Sequence, residues 1–399
     1  MNSDVLGFIL AGGRGTRMGP LCLHRPKPLL PMGLHHKLID FPLINALRAG
    51  IQQVGVLADY QRDALAGYLR QLEAWSPPHH RRLDVLVPRI GSYSGTANAV
   101  FENLRYLEAS GARTVLILAA DHVYFMDYKP LLEFHLDNRA DLTMSAVEVA
   151  PEEAHRFGIL TVAGDSQVVQ FEEKPAFAKG RLASMGIYAF STRFLQRVLR
   201  IDAADPGSSH DFGHSVIPRA IVDGARVFAH RFSGFWRDVG TLQTFHETNL
   251  LMLESGSHPL PSASAGRPFP LRQSQRRAEG PDNSLVSPAS RVDGEVCNSV
   301  IGPQCVVAEG AVVRNSVLFS NVRVGRNSVV DTAVIDDGAV VGDYCYVGTH
   351  PASSNGAGQL TTIGHNGHVA TGTMMLAGRR LWPDAMIDSQ GKGLLKTRH

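Results

Sequence analysis

Cysteine is scarce in this chain: only Cys22, Cys297, Cys305 and Cys345 occur among 399 residues. They form no CxxC pair and no metal-ligand spacing, which argues against a disulfide framework. They read as reduced packing residues of a cytoplasmic protein. The adjacent pairs His35-His36 and His79-His80 point in different directions on any regular element, so they make poor zinc ligands. An excess of one charge is also missing. The formal net charge is +2, which gives no reason to expect nucleic acid or an acidic membrane as a partner. The pairs Arg81-Arg82 and Arg276-Arg277 lack interleaved aromatics and read as solvated surface. No apolar run approaches the length that spans a bilayer. The N-terminal apolar run is short and a glycine turn interrupts it, unlike a signal peptide. The rest is ordinary: 44% hydrophobic and 19% charged residues, in a chain too long for one core.

What is present divides into two textures. Up to about residue 250, short apolar runs alternate with stretches of helical spacing. Val5–Leu10, Val54–Leu57, Thr114–Leu118, Asp141–Val149 and Gln167–Phe171 predict strands, and Asp63–Glu73 and Asn98–Leu107 predict helices. This alternation implies an α/β domain with a Rossmann-like, mostly parallel sheet and helices on both faces. A Ser-, Pro-, Gly- and Arg-rich stretch follows and reads as a linker. Beyond it Asn298–Arg314, Asn315–Asp331 and Thr332–Gly348 align without gaps as three units, with an aliphatic about every six residues. One aliphatic per short strand and three strands per coil is the pattern of a parallel β-helix. Ile363, Val369 and Met375 predict a further coil after the polar loop His350–Thr361. So short a β-helix leaves an open end, which should pack on the first domain or on another subunit. The predicted organisation is 1–254 catalytic, 255–284 linker, 285–385 β-helix and 386–399 tail.

The most informative local feature is the glycine-rich turn Leu10-Ala11-Gly12-Gly13-Arg14-Gly15-Thr16-Arg17, which closes the first strand. Gly12, Gly13 and Gly15 let the backbone approach a ligand, and successive N–H groups make an anion nest. Arg14, Arg17 and Lys27 add positive charge. The turn lacks the Gly-Lys-Ser/Thr of a Walker loop and misses GxGxxG by one residue. Asp121 follows the strand Thr114–Leu118, where open α/β sheets bind ligands, and reads as a magnesium carboxylate or a helix cap. Asp238 reads as a second metal carboxylate or as a salt-bridge partner of Arg237. Lys174, after Glu173 and before Pro175, is a phosphate clamp or a solvated loop residue. Tyr93-Ser94-Gly95-Thr96-Ala97 reads as a loop able to meet a base edge. Asp211-Phe212-Gly213 accepts sugar hydroxyls or caps the next helix.

Together these blocks resemble the sugar-nucleotide pyrophosphorylases, most closely the ADP-glucose pyrophosphorylase family. The likeness rests on LAGGRGTR, RPKP (Arg25–Pro28), IDFPL (Ile39–Leu43), YSGTA, ADHVYFMDY (Ala120–Tyr128), FGI (Phe157–Ile159), FEEKP, ASMGIYAF (Ala183–Phe190), DFG and WRDVGT, followed by the repeats. The resemblance implies a left-handed β-helix and AMP transfer from ATP to glucose 1-phosphate, with Mg²⁺, in a homotetramer. It implies catalytic roles for Arg17, Lys27 and Asp121. Leu10, Ala11, Gly12, Gly13, Thr16, Tyr93, Gly95, Thr96 and Ala97 would serve the nucleotide. Gly158, Glu173, Lys174, Ser184, Gly186, Asp211 and Trp236 would serve the sugar phosphate, and Asp121 and Asp238 the metal.

Four segments depart from the family pattern. His35 stands where a lysine associated with sugar-phosphate activators is usual. Ala58-Asp59-Tyr60 replaces Thr-Gln-Tyr, Ser92 replaces a Trp, and Ala120 replaces a Gly. The alternatives are a non-catalytic regulatory subunit of the same fold and a pyrophosphorylase for another pair, such as GTP with mannose 1-phosphate.

Overall fold

The structure, a computed structural model, describes residues 4–74, 82–253, 279–280, 283–349, 359–390 and 393–395. His79-His80, Arg276-Arg277, Arg81, most of the 255–284 linker and most of the polar loop after Thr349 lie outside the described residues. The chain forms two compact units. The first comprises 1–13 and 39–236, and the second 14–38 and 237–399.

The first unit is built on a nine-stranded sheet. Its strands are β1 (Val5–Leu10), β2 (Gln53–Leu57), β3 (Arg82–Leu86), β4 (Thr114–Ala119), β5 (Leu142–Glu148), β6 (Gly158–Val162), β7 (Val168–Glu173), β8 (Leu182–Ser191) and β9 (Val227–Arg231). The order along the main path is β7-β6-β8-β4-β1-β2-β3, and β5 pairs with β8 and β9. β1, β2, β3 and β4 run parallel, and the central β1 and β4 are almost wholly apolar because both their faces are covered, whereas the edge strand β3 is only partly buried. Leu6, Phe8 and Ile9 are fully buried, as are Val115 to Leu118. β8 runs antiparallel to β4, β5 and β6, and β7 runs antiparallel to β6. The sheet is therefore mixed, with its parallel half around β1.

The helix predicted over Asn98–Leu107 is two helices, α1 (Thr96–Glu102) and α2 (Leu104–Ser110). Asn103 breaks it because its side chain competes with the helical ladder. Its Nδ2 donates to Ala99 O at 2.8 Å and to the Tyr93 hydroxyl at 3.1 Å.

The second unit carries a parallel β-helix of three sheets. Val300, Val317 and Val334 lie in register at the seventeen-residue spacing, and Val334 then pairs with Thr362. Three interior ladders result. Ile301, Leu318, Ile335, Ile363 and Leu381 form one, Val307, Val324, Val341, Val369 and Ile387 the second, and Val296, Val313, Val330, Val347 and Met375 the third. Corners of the coils are left-handed at Asn298, Asn315, Asn321, Asn327 and Asn366, the non-glycine type that tolerates this conformation best. A reversed strand stands at each end: Glu279–Gly280 pairs antiparallel with Ser284–Val286, and Gly393–Leu395 with Ala385–Ile387.

Candidate active site

In the first unit the glycine-rich turn leaves β1 beside the end of β2. Ala11 N donates to Leu57 O at 2.9 Å. A Cβ on Gly12 would stand 3.3 Å from that of Asp59, so the departure at Asp59 lies against the turn itself. Asp121 follows β4 by two residues and keeps its side chain about one-third exposed, with Oδ1 3.6 Å from His122 Nε2. The cap of the following helix, Tyr128–Asp137, is Asp127, not Asp121. An accessible carboxylate beyond a parallel strand suits a hard divalent cation.

Tyr93 packs against the main core while its hydroxyl meets Asn103. Burial pushes that hydroxyl up to about 12, so it stays protonated. Gly95 has no room for a side chain, because a Cβ there would lie 2.2 Å from His210 O. Thr96 Oγ1 donates to Asp211 Oδ2 at 2.8 Å and accepts from Phe212 N at 3.0 Å. Asp211 Oδ1 accepts from Gly213 N and His214 N, capping the single wide turn Phe212–Val216. Burial pushes the Asp211 carboxyl up, but the bonds from Thr96, His214 and Gly213 outweigh it and hold the group below the usual carboxylate range. Of the two sequence readings of Asp211, the structure displays the cap.

Glu173 ends β7 and lies on two glycines: Cβ atoms on Gly158 and Gly213 would stand 2.7 and 2.6 Å from its Oε2. Its Oε1 pairs with Lys174 Nζ at 3.0 Å. Lys174 is exposed, with a left-handed φ of 45°, and its N–H donates to Phe157 O at 3.1 Å. A lysine held in that conformation costs about 1–2 kcal/mol, a strain that clusters at binding sites. The block ASMGIY forms an irregularity in β8, between Ser184 and Tyr188, with Gly186 at φ 67°. Ser184 Oγ donates to the Tyr188 hydroxyl at 3.2 Å and accepts from Gly186 N at 3.3 Å. Sequence reasoning missed Tyr188: period-two spacing puts it on the same face as Ser184 and in the core, but only the irregularity between them brings the two hydroxyls within hydrogen-bond reach. Trp236 packs edge-on against Phe157 and His122, with centroids 5.3 and 5.2 Å away. Its buried Nε1 has no hydrogen-bond partner among the described residues.

In the second unit, Gly15 (φ 63°) starts the short helix Thr16–Cys22, and Thr16 and Arg17 are exposed on it. A Cβ on Gly15 would lie 2.9 Å from Cys22 Sγ and 3.1 Å from Lys27 Cβ, so the glycine lets the turn close over the buried Lys27. Burial pushes the Cys22 thiol up to about 12, consistent with a packing residue. Cys305 and Cys345 are buried too, whereas Cys297 is exposed. Arg25 of RPKP is engaged elsewhere in this unit: Nη2 lies 2.6 Å from Asp336 Oδ1 and 2.8 Å from Asp337 Oδ2. Asp238 is half-buried, beside Gly240, where a Cβ would meet its carboxylate at 2.8 Å.

Residues 6–255 match the nucleotidyl transferase family model, and residues 269–365 the "GlmU-like, C-terminal hexapeptide" model. The chain is 34% identical over 384 residues to the glucose-1-phosphate adenylyltransferase of Desulforamulus reducens, covering 93% of this chain and 96% of that one. The chain belongs to this family. Identity to the Bacillus mycoides enzyme of that name is 36% over 85% of this chain and 93% of its relative. For Thermotoga maritima it is 41% over 82% and 76%. Membership makes the chain a nucleotidyltransferase. The hexapeptide match and the three parallel sheets agree with the left-handed β-helix implied by the sequence.

Proposed function

We propose that the chain transfers AMP from ATP to glucose 1-phosphate, giving ADP-glucose and pyrophosphate for α-glucan synthesis in the cytoplasm. The observation that carries the sugar-phosphate half is the group Trp236, Phe157 and Lys174. An aromatic wall with one unsatisfied donor suits a sugar ring, and a strained lysine beside it suits a phosphate. The names of the relatives support adenine and glucose.

The nucleophile is a phosphate oxygen of glucose 1-phosphate, already an anion at neutral pH, so no general base is needed. It attacks the α-phosphorus of ATP in line, and pyrophosphate leaves. Catalysis then rests on positioning and charge. Lys174 holds the sugar phosphate, and Glu173, Ser184 and Gly186 shape the sugar seat. Gly12, Gly13 and Thr16 cradle the triphosphate, while Arg17 and Lys27 stabilise charge on the departing pyrophosphate. Asp121 and Asp238 are the residues to hold Mg²⁺, a hard ion suited to their oxygen donors, which when bound neutralises charge on the α-phosphate.

A pyrophosphate-release assay across four nucleoside triphosphates, with glucose and mannose 1-phosphates, tests the reading. ATP with glucose 1-phosphate should give the highest kcat/KM. Preference for GTP with mannose 1-phosphate, or no release with any pair, would overturn it.

A further inference from the structure

The base loop and the sugar loop are joined by a residue that neither motif includes. His210 has φ 53°, a left-handed conformation that costs a side-chain-bearing residue about 1–2 kcal/mol. Such strain persists only where surroundings over-determine it. Here they do. His210 Nδ1 lies 2.9 Å from Asp202 Oδ2. Asp202 is buried in the last turn of the helix Thr192–Ala203, and its Oδ1 accepts from Ser208 Oγ at 2.5 Å. Ser208 Oγ in turn accepts from His210 N at 2.9 Å.

The strained backbone serves both loops. His210 O accepts from Ala97 N at 2.9 Å and from Asn98 N at 3.2 Å, seating the start of α1. The same carbonyl is what forbids a side chain at Gly95. The next residue is Asp211, locked to Thr96 and capping the turn that carries Gly213. One peptide therefore faces Gly95–Ala97 with its carbonyl and leads into Asp211–Gly213 along the chain.

We propose that Asp202 and His210 are positioning residues that hold the nucleotide loop and the sugar loop in one fixed relation. The proposal rests on the functional reading above. Without the Asp202 carboxylate the His210 backbone relaxes out of the left-handed region, its carbonyl turns away from Ala97 and Asn98, and both seats shift together. A residue with only a structural role would lower the fraction of active molecules, so kcat would fall with both KM values unmoved.

The test is steady-state pyrophosphate release by the full chain, varying ATP and glucose 1-phosphate in turn. Asp202→Ala should raise both KM values about fivefold, the size of one lost hydrogen bond, with kcat within about twofold. Asp202→Asn, which keeps an acceptor, should restore both to within about twofold of the parent, by the same hydrogen-bond scale. Should Asp202→Ala fail to fold by circular dichroism, Ser208→Ala removes a single hydroxyl and should move both KM values in the same direction. Unmoved KM values, a rise in only one, a fall confined to kcat, or no rescue by Asn would each overturn the clamp in an active parent. A parent that releases no pyrophosphate overturns the functional reading itself.

Discussion

The loops of the α/β unit and the coils of the β-helix unit satisfy their backbone groups in opposite ways. In the coils one solution is repeated. Ser316 N donates to Ser299 Oγ, Ala333 N to Ser316 Oγ and Cys345 N to Ser328 Oγ, each one coil apart in sequence. Asn283, Asn298 and Asn315 form a side-chain ladder of the same kind. In the loops every solution is different: a carboxylate cap at Asp211, a left-handed histidine and a glycine flattened under a carbonyl. Repetition spreads stability over many equivalent contacts, whereas single-use contacts place one group where a substrate needs it. One region should lose activity without stability, and the other stability without activity.

The sharpest test is Asp121→Asn. With the proposed metal carboxylate removed, pyrophosphate release should fall about a thousandfold or more, roughly 4 kcal/mol in the barrier, with an unchanged melting temperature. Near-normal turnover would sink the metal assignment. The opposite change is Ile335→Ala, in the middle of a fully buried ladder. It should cost about 2–5 kcal/mol of stability, read by denaturant titration, with kcat per folded molecule retained.

Protonation separates the regions further. In the first unit burial drops His135 to about 4, and its ring sits between Thr143 and Ser191. The unfolded chain takes up that proton near 6.5 while the folded chain refuses it, so this stability is present above 6.5 and lost as pH falls toward 4. In the second unit burial holds Asp336 at about 7 despite Arg25, so its contribution has the opposite sign. That contribution is present below 3.8 and lost as pH rises through about 7. Between about pH 5 and 6.5 the two contributions oppose, so stability should rise less with pH in His135→Gln than in the parent and rise more in Asp336→Asn, as read by melting curves across pH 5 to 8. Each difference should be on the order of 2 kcal/mol or less. Equal slopes in parent and variant would break the contrast.

The smallest effect concerns regulation. The His35 side chain is exposed, yet partial desolvation by the atoms around it lowers its basicity, so the ring is neutral near pH 7 and a weak phosphate partner. Stimulation by fructose bisphosphate should be slight in the parent and rise a few-fold in His35→Lys, as a fixed charge adds about 1 kcal/mol to such contacts. Strong stimulation of the parent would contradict this.

Legibility in the sequence followed the same division. Val5–Leu10 and Thr114–Ala119 were readable because a strand covered on both faces must be apolar throughout. The coils were readable because an interior ladder forces an aliphatic back at a fixed interval. The antiparallel course of β8 was not readable, since local pattern is silent on strand direction. The glycines of the motifs were visible, but not what they avoid: Gly95 avoids His210 O, and Gly213 avoids Glu173. Asp202 with His210, and Arg25 with Asp336 and Asp337, pair residues whose spacing carries no periodic signal.

The strands of opposite direction at the two ends of the coil stack have a bearing on assembly. A column of identical rungs would otherwise offer the next molecule a template for growth, since each rung already matches the one above it. Turning the chain back at Glu279–Gly280 on one sheet and at Gly393–Leu395 on another removes that match on one of the three sheets at each extremity. A second copy meeting either end would find one of its three strands opposed by a strand of the wrong direction, which disfavours end-to-end stacking.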